Sequence, residues 1–436
     1  MIESGKKKSV TEFLKVEYIR NVATLMIGTV AGQALVFLLS PVVFRLFTPE
    51  DITSLEQVTM MITVLSVVVT GKYEFAIMHP REKSDAIHLV ALTILVSLGV
   101  SLFFLLISLF FSDLIATEYG NPKLSSYLWT VPVALFFTGV FNAFNYWFSR
   151  TKEYKVAAKS KLYSAVAAEP LKIGFGYLSW GTAGLMFANT LGTFISALQA
   201  YLVFVKSQPK QLIQVSKKRM KELAILHKDY PLFSIWGSVL NRIAQWAHVG
   251  IFTAYFGLVG VGLMALSRRV LFAPLNVLSN SYSQVFFQRI SEIEDAKELR
   301  GLYYKSLFRF LLFSAAMVIF IQALPDGTTA FLFGEPWRNA IHYLKVLSFW
   351  FALNFVTSNL ATITYRIQMQ RAGFFLDAFH FVLVMASVYY AHWSGMNEWQ
   401  ATKVLVGAKV MYFTVNILVV ALFLERYVKR QSLAQK

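Results

Sequence analysis

Apolar residues fall along this chain in long blocks separated by short polar connections, with no alternation of the kind a half-buried strand would show. A hydrocarbon core of about 30 Å is crossed by about 20 helical residues. On that ruler the chain divides into twelve runs: 22–44, 52–79, 86–112, 124–148, 157–178, 182–205, 231–256, 259–285, 304–325, 339–365, 372–393 and 398–424. The pattern predicts an all-α polytopic membrane protein. TPED at 48–51 marks the start of the second helix, and Pro274 is expected to kink the eighth.

Charge in the connections gives the orientation. With a cytoplasmic N-terminus, about 30 of the 41 basic residues lie in inside segments, against Arg45, Lys123 and Arg338 outside. Both termini are expected in the cytoplasm. The long connection 206–230 separates six runs from six, giving a leading segment 1–21, an N-lobe 22–205, a linker 206–230, a C-lobe 231–424 and a tail 425–436. In the linker Leu212, Val215, Leu223 and Leu226 recur at helical spacing against Lys217, Lys218, Arg219 and Lys221, the pattern of an amphipathic helix on the inner interface. Sliding the chain by 209 positions lays Gly28 on Gly237, Phe47 on Phe256 and Tyr73 on Tyr282, which adds support for two homologous six-helix lobes around a central cavity.

Composition agrees: 56% of residues are hydrophobic, 16% aromatic and only 15% charged. The net charge of +17 sits in short inter-helix segments and not on a polar domain, which argues against nucleic acid as a partner. Without cysteine there is no disulfide framework or thiol nucleophile. The seven histidines are scattered, with no H-E-x-x-H pattern and no acidic cluster at metal-ligand spacing, so neither a metal nor a resident cofactor is expected. Lys6, Lys7 and Lys8 precede a polar stretch and a run long enough to span, not a cleavable leader.

The informative residues are charges inside the runs. A charge at the bilayer centre costs roughly 2.5 to 3.5 kcal/mol even on lenient scales, so such residues face protein or a watery cavity. Arg242 lies mid-run in the seventh; Arg268 and Arg269 are adjacent in the eighth and point about 100° apart. Lys409, with Lys345 and Lys403, adds positive charge, and Lys72 stands near an entrance. In the fifth run Glu169 and Lys172 are three apart on one face, either a local ion pair or a lumen-facing pair whose lysine meets an anion. Gln33 is a mid-run amide, and Asn145 lies near the end of the fourth run beside Tyr146 and Trp147. Gly28 with Gly32 is a small-xxx-small packing pair. Acids are few: Glu56, Glu169 and Asp377 are the candidates for coupling to H+ or Na+. A cationic interior short of acids calls for an anionic ligand, and a phosphate or diphosphate suits the arginine fork.

GKYEFAI (71–77), HKDYPLFS (227–234), GLMALSRRVLFAPLNVLSNSYSQVFFQ (262–288) and FGEPWRNA (333–340) resemble the Wzx-like oligosaccharide and polysaccharide flippases of the multidrug/oligosaccharidyl-lipid/polysaccharide exporter (MOP) superfamily. The likeness runs in order over nearly the whole chain. It implies a V-shaped cationic cavity and alternating access that moves an undecaprenyl-diphosphate-linked saccharide, such as an O-antigen, lipopolysaccharide or capsule repeat unit, between leaflets of the bacterial inner membrane. It also implies association with polysaccharide polymerase and chain-length machinery. Lys72 stands where that family's R-Y-E pattern has arginine, so contacts there are expected to differ. The rival readings are an ion-coupled multidrug or cation antiporter of the same superfamily, which would want acids where this chain has bases, and a non-transporting scaffold, which would leave the buried arginines without a role.

Overall fold

A computed structural model of the chain describes residues 31–207, 215–367 and 369–434. The segment 1–21, the start of the first run with Gly28, and Leu212 of the connection lie outside the described residues. Every one of the twelve apolar runs corresponds to a helix. The helices are α1 (Ala31–Leu46), α2 (Pro49–Val69), α3 (Tyr73–Ala76), α4 (Lys83–Phe110), α5 (Ser112–Glu118), α6 (Thr130–Arg150), α7 (Tyr154–Tyr177), α8 (Gly181–Ser207) and α9 (Lys217–Leu226). They continue as α10 (Ile235–Phe256), α11 (Leu258–Glu292), α12 (Ala296–Gln322), α13 (Thr328–Phe333), α14 (Ala340–Leu360), α15 (Ile363–Arg366), α16 (Gln370–Trp393) and α17 (Glu398–Ala434). Among the described residues nine helices are long and apolar enough to cross a membrane, and α1 is a shorter apolar helix.

Local chemistry sets the helix ends. At the start of α2, Thr48 and Asp51 cap each other: the Thr48 N–H donates to Asp51 Oδ2 (3.2 Å) and the Asp51 N–H to Thr48 Oγ1 (3.3 Å), with Pro49 pre-set for the first helical position. The second run does not continue to 79 as expected. Gly71 and Lys72 both adopt left-handed backbone angles, φ 60° and 62°, which no right-handed helix accommodates, so α2 stops at Val69 and Lys72 sits in the break before α3. The fourth run likewise begins with a 3₁₀ turn at Pro122–Tyr127 before α6. α11 runs through Pro274 to Glu292. Between α10 and α11, Gly257 takes φ 90°, ψ −179°, a conformation essentially confined to glycine.

The chain forms two compact units. Unit 1 comprises residues 1–47 and 57–243, and unit 2 residues 48–56 and 244–436. In unit 1, α4, α6 and α8 pack around Ile87, Leu89, Phe144, Trp147, Phe148 and Phe204, and α7 packs on α8. The connection helix α9 docks on α4 with Leu223 buried in this core. Arg219 holds Asp85 with two 2.8 Å hydrogen bonds, and the Ser216 N–H donates to His88 Nε2 (3.1 Å). Leu226 is exposed, so the apolar face of α9 is narrower than its sequence pattern suggests. In unit 2, α14 is the buried spine, packed by α11, α12 and α17, with α16 on α17. The first turns of α2 belong to this unit: the Thr53 hydroxyl donates to the Leu258 carbonyl (2.6 Å). A Cβ at Gly262 would meet the Pro49 carbonyl oxygen at 2.2 Å, so only glycine permits that approach.

Candidate cationic site

The ruler of 1.5 Å per helical residue places two cations of unit 2 at similar depth. Arg268 lies ten residues into α11 and Lys409 eleven residues into α17, each about 15 Å from its helix start. Both helices pack on α14, which brings the two charges close enough to act on each other. The Arg268 guanidinium forms an ion pair with Glu56 of α2 and lies over the Trp246 ring, 4.8 Å from its centroid. Lys409 is 3% exposed, and its ammonium faces the Trp350 ring of α14 at 4.8 Å. Among the described residues it has no carboxylate within ion-pairing distance. Aromatic faces hold cations without supplying a counter-charge. Glu56, Arg268 and Trp350 line one narrow cavity together. Of the adjacent arginines it is therefore Arg268 that faces it, while Arg269 is half-buried beside it.

One turn further along α17, Tyr412 stacks on His380 of α16 with centroids 4.1 Å apart, and His380 Nε2 is buried without a hydrogen-bond partner among the described residues. Asp377 is exposed at the start of α16 and lines a separate cavity of about 500 Å³.

The remaining candidates lie in unit 1. Lys172 and Glu169 are buried on α7 and joined at 2.7 Å, the local ion pair expected from their spacing. Arg242 is exposed on α10 and acts electrostatically on Lys72, whose ammonium stands 5.0 Å from the Phe75 ring centroid. Asn145 is half-buried on α6, and its neighbour Tyr146 meets Phe75 edge-on at 5.0 Å. Gln33 on α1 keeps its buried Oε1 without a partner among the described residues. Unit 1 thus assembles Lys72 and Arg242, and unit 2 assembles Glu56, Arg268 and Lys409. The tryptophans under the two cations and the orphaned His380 were not singled out from sequence. Spacing held a signal only on α17, where Lys409, Tyr412 and Asn416 fall on one helical face.

Comparison with known proteins follows this geometry. A family model described as "Polysaccharide biosynthesis protein" matches residues 42–342. No curated protein matches the chain. Among solved structures, a multidrug resistance MATE family transporter of the MOP superfamily in its inward-facing conformation superposes with a TM-score of 0.72 at 15% identity, over 91% of this chain and 96% of that one. An outward-facing structure of such a transporter gives 0.58 at 15% identity, over 93% and 96%. The lipid II flippase MurJ in an inward closed conformation gives 0.68 at 12% identity, over 93% of this chain and 90% of that one. At such identities the likeness shows the fold alone, one shared with these transporter and flippase structures.

Proposed function

The chain belongs to the polysaccharide biosynthesis protein family and has the fold of membrane transporters and a lipid flippase; from this we propose that it translocates a polyprenyl-diphosphate-linked oligosaccharide across the bacterial inner membrane. The observation that carries the reading is the pair Arg268 and Lys409, two cations near mid-membrane depth with Glu56 as the one carboxylate ion-paired to either among the described residues.

A diphosphate supplies the missing negative charge. The barrier to flipping is removal of the anionic head group from water, and fixed cations in a low-dielectric setting replace its hydration. Arg268 offers a planar fork to two phosphate oxygens, and Lys409 adds a point charge. The tryptophan faces of Trp246 and Trp350 hold both side chains in place before the ligand arrives. Glu56 is the counter-ion that the diphosphate displaces. This makes Glu56 the first choice for H+ coupling, since its protonation would free Arg268, while Glu169 is engaged by Lys172. Arg242 and Lys72 in the N-lobe, with the amides Gln33 and Asn145, serve the approach of the head group. The two six-helix lobes alternate access with both termini cytoplasmic, the polyprenyl tail stays in lipid, and no bond is made or broken.

The test is leaflet distribution. In cells lacking the protein, undecaprenyl-diphosphate saccharide accumulates on the cytoplasmic side, the wild-type chain relieves it, and Arg268→Ala or Arg242→Ala, expressed to the same level, does not. Unchanged intermediates in the deletion would overturn the reading and turn attention to antiport.

A further inference from the structure

Beyond the cationic pair, unit 2 holds a cavity of about 500 Å³ between α14, α16 and α17, within the range of small-molecule sites. Its polar lining includes Asn354, Ser358, Asp377, Tyr412 and Asn416. The Asn354 amide makes no hydrogen bond among the described residues, and the Tyr412 hydroxyl lies close to both Asp377 and Asn416. The Ser358 hydroxyl donates to the Phe355 carbonyl (3.2 Å), which leaves its lone pairs to accept. The set therefore offers amide donors and acceptors, a carboxylate acceptor and a hydroxyl beside aromatic rings.

The cavity lies further along the same helices that carry Lys409 and its tryptophan. On α14, Asn354 follows Trp350 by one turn, and on α17, Tyr412 and Asn416 follow Lys409 by one and two turns. Seven residues of helix cover about 10 Å, the scale of the step from a diphosphate to the first sugars attached to it. A second cavity of about 310 Å³ along α11 shares Asn354 and Ser358, so the polar path extends past one ring.

We infer that this cavity is a saccharide subsite, in which Asn354, Asn416 and Asp377 read the hydroxyls of the sugar attached to a diphosphate held by Arg268 and Lys409. The inference rests on the flippase reading. A second phosphate is disfavoured by Asp377, and the size of the cavity and its two amides fit a hydroxyl-rich neutral ring better than a single ion.

The experiment measures binding to the full chain in lipid nanodiscs, with farnesyl diphosphate and its N-acetylglucosamine, glucose and galactose conjugates as probes, read by intrinsic tryptophan fluorescence. At least one conjugate should bind about tenfold more tightly than farnesyl diphosphate. Asn354→Ala and Asn416→Ala should erase that gain while leaving farnesyl diphosphate affinity within about twofold. Because both residues lie on packed helices, Tyr412→Phe serves as a conservative second variant and should reduce the gain in part; thermal unfolding checks each fold. If no conjugate gains affinity, or the gain survives all three variants, the inference falls and the flippase reading stands. Variants that change only a sodium dependence would make the cavity an ion site and overturn it as well. If farnesyl diphosphate itself does not bind, the flippase reading falls and the inference with it.

Discussion

Two lysines are buried in this molecule to nearly the same degree and are handled in opposite ways. Lys172 in unit 1 is 6% exposed and Lys409 in unit 2 is 3% exposed. Lys172 has Glu169 three residues before it on the same helix, at 2.7 Å, so its charge is answered by its own sequence neighbourhood. Lys409 has no carboxylate partner among the described residues and meets the face of Trp350, the like charge of Arg268 and the field of His380. An ion pair needs nothing from outside to be tolerable in the interior, whereas a cation set against a tryptophan and another cation is a standing cost. A fold keeps such a cost when something that arrives later removes it. On the proposed function, the comparison separates a charge that serves structure from one that serves a ligand, although both look alike in the sequence.

The comparison breaks most visibly in stability. Lys172→Met leaves the Glu169 carboxylate buried without its lysine and should cost about 3 to 5 kcal/mol, while Lys409→Met removes a buried charge that has no carboxylate and should leave the thermal midpoint unchanged or raise it. Thermal unfolding in detergent checks both, and Glu169→Gln with Lys172→Met should recover most of the loss. If Lys409→Met proved the more damaging, the functional assignment of the unpaired lysine would fail. Transport should invert the order. Arg268→Ala and Lys409→Met should lower flipping in proteoliposomes about 100-fold, equivalent to about 2.8 kcal/mol, with the protein still folded. A smaller effect of opposite sign is expected of Glu56→Gln. With its counter-ion neutral, Arg268 should bind a short-chain polyprenyl diphosphate up to about tenfold more tightly while turnover slows, as release becomes limiting.

These contrasts also show what the chain discloses by itself. The twelve helices are legible because a bilayer demands runs of a fixed length, and the capping of α2 because Thr48 and Asp51 are neighbours. The Glu169–Lys172 pair is legible for the same reason. Arg268 announces itself as a charge inside an apolar run, but its partner Glu56 lies 212 positions away, and no local pattern joins them. Trp350 under Lys409 is invisible in the same sense, since a tryptophan in a membrane run reads as packing or belt until the neighbouring helix is placed. The break at Lys72 was missed because lysine is a poor host for left-handed angles, and nothing but Gly71 before it hints that the helix ends there.

The weakest effect adds a third kind of titratable group, one whose charged form the fold disfavours. His227, between α9 and α10, is held below its ordinary pKa first by burial and then by His79, whose ring stacks on it at 6.2 Å. Tyr230 faces both rings, and its hydroxyl lies 2.6 Å from His79 Nε2. Since the unfolded chain binds a proton at His227 more readily than the folded chain, the stabilising effect is complete above about pH 6.5 and is lost as pH falls from there toward the lowered folded value. The thermal midpoint should decline over that acidic window by no more than a few degrees, and His227→Phe should flatten the decline. A midpoint that instead rose on acidification would mean that the pair of rings welcomes a proton, and this corner of unit 1 would then belong with the sites that wait for charge.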